Sequence, residues 1–197
     1  MKKVGITGGI GSGKTTVCAL FKTLGIPVYN ADERAKWLMN HDADVMRSVK
    51  ELIGDEAYDS EQMANSKLIA SIVFRDKKLL DALNQIIHPA VAKDGESWYA
   101  AQQAHAYVLK ESALMFETEI YKDMDKNILV ISPEALRIER VRARDHSSVE
   151  AIRERMNHQM SDEEKIPLAD YIIHNDTDHS LIEQVIAIHK KLLNDEI

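Results

Sequence analysis

Short apolar runs alternate with longer amphipathic stretches along the chain. Such runs are typical of strands in a parallel sheet that is covered on both faces, because neither face is left to water. The pattern predicts five strands, namely Lys3–Thr7, Pro27–Asn30, Ala106–Lys110, Asn127–Ser132 and Asp170–His174. Helical periodicity fills the gaps between them, so we predict an α/β doubly wound fold.

Three helices are marked clearly by their apolar spacing. The first follows Gly13, the second contains Leu79 to Ile87, and the last runs from about Leu181 to Leu192 with Asp178 as its predicted N-cap. Residues 31 to 105 contain no convincing strand. We therefore predict a single domain over residues 1–197 with a helical insertion at about residues 40–105, where such folds often hold a second substrate.

Composition excludes several classes of protein. Apolar residues make up 45% of the 197 residues, which is enough for a sizeable core, and no apolar run approaches a membrane-spanning helix. The formal net charge of −7 disfavours nucleic acid as a partner. A single cysteine, Cys18, excludes an internal disulfide and fits a reducing cytoplasm, and the eight histidines show no convincing metal-ligand spacing.

Glycine is concentrated at the N-terminus, with five of the eight glycines in the first thirteen residues. Within this segment Gly8–Thr15 matches the phosphate-loop pattern G-x-x-x-x-G-K-[ST], between a predicted strand and a predicted helix. Glycines allow consecutive backbone N–H groups to turn around an anion, and the following helix adds its dipole. The alternative is a glycine-rich turn with a solvated lysine.

The phosphate loop assigns a role to each of its last residues. Gly11, Ser12 and Gly13 supply backbone amides, Lys14 reaches the β- and γ-phosphates, and the Thr15 hydroxyl ligates Mg²⁺. Thr16 is predicted to contact the α-phosphate of ATP. The dinucleotide pattern G-x-G-x-x-G is absent, which disfavours a dehydrogenase.

The rest of the chain narrows the class of phosphate-loop protein. The base-reading Asn-Lys-x-Asp of switch GTPases is absent, and the strands before Ser132-Pro133 and Lys110-Glu111 lack the terminal Asp usual in transporter and motor ATPases. A small chain with a helical insertion and late arginines fits a small-molecule kinase.

An ordered set of motifs resembles the dephospho-coenzyme A kinases. The set covers nearly the whole chain and consists of Val4–Val17, Leu24–Asp32, Ile87-His88-Pro89, Leu114–Glu117, Arg140, Arg144-Asp145, Gln159, Ala169-Asp170 and Asn175. Two positions depart from the family pattern, because Asn30 replaces the first acid of its Asp-Ala-Asp and Ala113 replaces a proline.

The resemblance implies a three-layer P-loop fold and transfer of the γ-phosphoryl group of ATP, with Mg²⁺, to the 3′-hydroxyl of dephospho-CoA. It implies catalytic roles for Asp32, Lys14 and Arg140, ATP contacts from Arg144 and Asn175, and an acceptor site with Asp32, His88 and Pro89.

Each assigned residue outside the loop has a structural alternative. Asp32 also suits a helix N-cap, and His88-Pro89 suits a helix boundary. Asn175 either reads the adenine edge or makes a turn.

Arg140 and Arg144, four residues apart, share one face of a helix, with Arg137 and Arg142 expected on other faces. A solvated charged helix is the alternative. With the resemblance, this helix and Ser148–Met160 form a lid at about residues 135–168.

Two other functions compete with this assignment. A nucleoside or nucleotide kinase would use the same donor site, and a nucleotide-dependent binding module would switch conformation without transferring a group. The absence of base-reading and switch motifs argues against the second. The sequence carries no signal of oligomeric state.

Overall fold

The computed structural model describes residues 1–73 and 75–194 and divides into two compact units. The first unit comprises Met1–Asn30 and Gln102–Ile197, and the second comprises Ala31–Ala101. The first boundary between the units lies at the junction of a strand that ends at Asn30 and a helix that begins at Ala31.

The first unit contains a parallel sheet with the strand order β2-β3-β1-β4-β5. The strands are β1 (Lys2–Thr7), β2 (Val28–Asn30), β3 (Tyr107–Glu111), β4 (Lys126–Ile131) and β5 (Tyr171–His174). All five predicted strands are confirmed, and no boundary moves by more than one residue. In the register of the sheet Ile6 lies opposite Glu111, so the end of β3 flanks the end of β1.

Helices connect the strands and form most of the second unit. In the described residues they are α1 (Lys14–Thr23), α2 (Ala31–His41), α3 (Ala43–Ile53), α4 (Ser66–Val73), α5 (Lys77–Ala100), α6 (Glu134–Asp145), α7 (Val149–Asn157), α8 (Asp162–Lys165) and α9 (Leu181–Asn194). No helix in residues 1–73 or 75–194 is long and apolar enough to span a membrane.

Each unit has its own apolar core. In the first, Val4 and Ile6 lie on one face of β1 and pack with residues of α1 and α9 such as Phe21 and Ile188. Gly5 faces the other way, where a Cβ atom would overlap the Met115 side chain. The second core gathers the apolar faces of α3, α4 and α5, and it contains Val45, Val49, Ala57, Tyr58, Ile69, Val73 and Ile87.

Two helix ends suggested by the sequence, one of them only as an alternative for His88-Pro89, are not found in the structure. Pro89 does not end a helix but lies inside α5, although its ring removes one backbone donor from the helix. Asp178 is not the N-cap of α9, because α9 begins at Leu181 and the Ser180 hydroxyl accepts the Glu183 N–H at 3.3 Å.

Candidate phosphate-binding site

The phosphate loop joins β1 directly to α1 at the carboxyl edge of the sheet. Ser12 N–H donates to the Gly9 carbonyl at 3.1 Å, which closes the loop into a turn. Gly13 occupies the N-cap position of α1 with φ of 92°, a left-handed conformation that favours glycine. The Lys14 ammonium donates to the Gly8 carbonyl at 2.7 Å, so the cation lies against the loop.

The start of α1 makes the loop electropositive. Helix N-termini leave backbone N–H groups without intrahelical partners, and the helix dipole adds partial positive charge there. The first turn of α1 contains no acidic residue that would neutralise this charge. Thr15 and Thr16 follow Lys14 in that turn with exposed side chains. The site is therefore suited to a polyphosphate anion.

Glu111, at the end of β3, places a buried carboxylate beside the loop. Its side chain is 5% exposed, and its Oε1 atom lies 3.5 Å from the Thr15 hydroxyl oxygen. Asn30, at the end of β2, donates its Nδ2 hydrogen to Glu111 Oε2 at 3.1 Å. Glu111 is absent from the site residues assigned from the sequence, because only the pairing of β3 with β1 brings it beside the loop.

Cys18 lies in α1, belongs to the apolar core of the first unit and is 2% exposed. Burial raises the pKa of the Cys18 thiol, and the charge of Glu111 raises it further. A neutral buried thiol agrees with the expectation that Cys18 acts as a small apolar group.

Asn175 and Arg140 both contact the loop backbone. Asn175 is buried and donates from Nδ2 to the Ser12 carbonyl at 2.7 Å. Arg140 donates to the Ser132 hydroxyl at 3.0 Å and to the Asn175 carbonyl at 3.2 Å, and its Nη1 atom lies 3.4 Å from the Gly11 carbonyl oxygen. Two residues selected from sequence are thus brought to the phosphate loop.

Arg137 is a further contact, and its expected position on another helix face is wrong. Its Nε donates to the Ile10 carbonyl at 2.9 Å, and a Cβ atom on Gly9 would overlap its guanidinium. The adjacent N–H of Ile10 donates to Gln159 Oε1 at 2.8 Å. Residues three apart lie on the same face of a helix, so the spacing of Arg137 and Arg140 in the sequence already indicates that both can reach the loop.

Arg144 does not reach the loop. It lies four residues beyond Arg140, about 6 Å further along the helix axis. Its exposed guanidinium pairs with Asp145 at 2.6 and 3.0 Å, and Arg155 binds the same carboxylate at 2.9 Å. Hydrogen bonds from these two arginines hold the pKa of Asp145 well below its usual range.

The residues assigned to the acceptor lie in the second unit. Asp32 is exposed in the first turn of α2, two residues beyond the end of β2, and it is not an N-cap because α2 begins at Ala31. His88 and Pro89 are exposed on α5. Arg34 ties α2 to α5 through a bidentate contact with Asp94 at 2.5 and 2.8 Å.

Comparison with known proteins gives a consistent result. Residues 2–180 match the family described as dephospho-CoA kinase. The dephospho-CoA kinase of Porphyromonas gingivalis is 41% identical over 95% of this chain and 93% of its own length, and that of Salinibacter ruber is 40% identical over 89% of both chains.

Solved structures agree with these sequence relatives. The dephospho-CoA kinase of Campylobacter jejuni superposes with a TM-score of 0.71 at 25% identity and covers 96% of both chains. TT1252 from Thermus thermophilus superposes with a TM-score of 0.87 at 28% identity, with 98% of both chains covered.

Proposed function

We propose, because the chain belongs to the dephospho-CoA kinase family, that this protein transfers the γ-phosphoryl group of ATP to the 3′-hydroxyl of dephospho-CoA. The products are CoA and ADP, and the reaction is the last step of CoA synthesis. The observation that carries the proposal is a complete phosphate loop in a chain that matches the family over residues 2–180. The loop alone would fit many kinases, whereas the match includes the whole second unit.

The donor end of the reaction is assigned to the loop. Amides of Gly11, Ser12 and Gly13 and the ammonium of Lys14 bind the β- and γ-phosphates of ATP, and Thr16 contacts the α-phosphate. The Ser12 hydroxyl supports the proposal that a ligand binds here. Its oxygen is buried and makes no hydrogen bond within the described residues, and buried polar atoms normally have a partner.

Mg²⁺ accompanies ATP in this proposal. The Thr15 hydroxyl and the Glu111 carboxylate fit such an ion, since both are oxygen ligands and their oxygens lie 3.5 Å apart. Thr15 and Glu111 would hold the ion, which neutralises phosphate charge when it is bound.

The acceptor end is assigned to the second unit. Asp32 accepts the proton of the 3′-hydroxyl while that oxygen bonds to the γ-phosphorus, and the bond from this phosphorus to the bridging oxygen of ADP breaks. Arg140 offsets the negative charge that develops on the transferred group. His88 and Pro89 contribute to the binding of dephospho-CoA.

Residues at about 135–168 are proposed to close over the donor as a lid and exclude water. Arg137 and Gln159 support this role, because both lie in that range and both contact Ile10. Arg144 is assigned to ATP only if closure moves it, since its present partner is Asp145. ATP hydrolysis without acceptor is expected to be far slower than transfer. The cytoplasm is the proposed location, on the basis of the single cysteine.

An acceptor panel tests the assignment. Dephospho-CoA is expected to be phosphorylated, whereas AMP, CMP and dTMP are not, and turnover with a monophosphate alone would show a nucleotide kinase instead. The Asp32→Asn variant is expected to bind ATP normally and lose at least about 100-fold in kcat, the usual range for a catalytic base. ATP binding without transfer to any acceptor would favour a binding module.

A further inference from the structure

Three metal-ligating side chains meet outside the phosphate site, at the end of β5. His174 is the last residue of that strand, and Asp176 and His179 lie in the loop before α9. One ligand atom from each of the three lies within 4.8 Å of the other two. The rings of His174 and His179 lie 4.9 Å apart between centroids and 31° from parallel.

Hydrogen bonds between side chains and the backbone hold this segment in shape. Asp176 Oδ1 accepts the N–H groups of Asp178 at 3.0 Å and His179 at 2.9 Å, which folds the loop back on its own carboxylate. Gln184 fixes the backbone of His174 from both sides, because its side chain accepts the His174 N–H at 2.8 Å and donates to the His174 carbonyl at 2.9 Å. The three side chains are therefore carried on an ordered turn rather than on a loose loop.

We propose that His174, Asp176 and His179 bind one divalent transition-metal ion of the zinc type, with water in the remaining position. Two imidazoles and one carboxylate are a ligand set that zinc accepts readily. His179 Nδ1 lies 2.9 Å from both oxygens of Asp176. This separation is close to the edge of about 3.3 Å in a tetrahedron whose arms are about 2.0–2.1 Å long.

The hydrogen bond between His179 and Asp176 thus already has the spacing of two ligands on one ion. His174 completes the set by rotation of its side chain, since one of its ring nitrogens already lies within 4.8 Å of the ligand atoms of Asp176 and His179. The spacing of His174, Asp176 and His179, H-x-D-x-x-H, does not by itself indicate a metal site. It does so only when a turn brings the two histidines together.

The ion would also fix part of the donor site. Asn175 lies between two of the ligands and bonds to the Ser12 carbonyl at 2.7 Å. Its backbone N–H donates to the Ile131 carbonyl at 2.8 Å, which ties the same residue to β4. Metal bound on either side of Asn175 would therefore stabilise the segment that supports the phosphate loop.

Zinc titration of the untagged protein without nucleotide tests the site. Calorimetry with ZnCl₂ is expected to show one equivalent in the wild type. Asp176→Asn and His179→Gln are expected to bind zinc at least about tenfold more weakly. Two matched controls, Asp178→Asn in the same loop and His41→Gln in α2, are expected to bind as the wild type does, because both residues are exposed and lie outside the three ligands.

A second readout uses stability. One equivalent of zinc is expected to raise the melting temperature of the wild type and of both controls but not that of the ligand variants. Circular dichroism establishes that each variant is folded before titration. The proposal is overturned if the wild type takes up no zinc, or if all variants bind it equally.

Discussion

The ion pair between Lys165 and Glu117 offers a sharp test of how the first unit is held together. Lys165 ends α8 and its side chain is 0% exposed, while Glu117 is 16% exposed, and their charged atoms lie 2.9 Å apart. Glu117 also accepts the Met160 N–H at 3.0 Å. The contact joins the segment after β3 to the chain that leads into β5.

Replacing Lys165 with Met keeps the length of the side chain but leaves the Glu117 charge without its cation. Removal of one partner of a buried pair costs about 3–5 kcal/mol of unfolding free energy. We expect about 3 kcal/mol, the lower end, because Glu117 retains the Met160 N–H and some exposure. Adding Glu117→Gln removes the stranded charge and retains an acceptor, so the double variant is expected to regain about 2 kcal/mol.

Urea unfolding followed by far-UV circular dichroism measures this loss. Both tryptophans, Trp37 and Trp98, belong to the second unit, so their fluorescence reports that unit separately. Arg153→Met is the matched control, because Arg153 forms an exposed pair with Glu134 at 3.2 Å and its removal is expected to cost less than about 1 kcal/mol. A loss for the Lys165 variant no larger than that of the control would refute the reasoning.

Three further predictions follow from single contacts. Gly13→Ala is expected to weaken ATP binding in calorimetry by at least about tenfold, because a Cβ atom at this position would overlap the Asn175 amide. Gly25→Ala is the control, because Gly25 also has a positive φ, of 81°, but has open space around it. This control variant is expected to bind ATP as the wild type does. The Cys18 thiol is expected to resist Ellman's reagent at pH 8 until urea unfolds the chain, because burial raises its pKa; rapid labelling of the folded protein would contradict this. Asp42→Ala is expected to lower the unfolding free energy by about 1 kcal/mol in urea titrations, because Asp42 caps α3 through two N–H groups at 3.0 Å; an unchanged midpoint would contradict it.

The strands and the phosphate loop were predictable because their signals are local. A parallel strand buried on both faces is a continuous apolar run, and such a run identifies itself without knowledge of its partners. The loop is equally local, since Gly8–Thr15 carries both the sharp turn and the cation in eight consecutive residues. Helix ends were harder, as Pro89 illustrates, because packing of α5 in the second core outweighs one lost hydrogen bond.

Contacts between distant residues were not predictable in the same way. Lys165 looks like an ordinary surface lysine in the sequence, and only the fold pairs it with a carboxylate 48 residues earlier. Glu111 and Thr15 are likewise 96 residues apart along the chain. Arg137 differs from these, because its three-residue spacing from Arg140 was visible and was assigned to the wrong face.

Asn30, which replaces the first acid of the family's Asp-Ala-Asp, forms a hydrogen bond that gives this replacement a physical consequence. An aspartate at this position would place a second carboxylate where the Asn30 amide now lies, 3.1 Å from Glu111. Two carboxylates that close repel each other unless a proton or a cation lies between them. The amide instead donates a hydrogen bond and leaves Glu111 as the carboxylate next to Thr15. In the proposed function this substitution separates two tasks that a pair of acids could share, because Glu111 is assigned to Mg²⁺ and Asp32 is assigned to the hydroxyl of the acceptor.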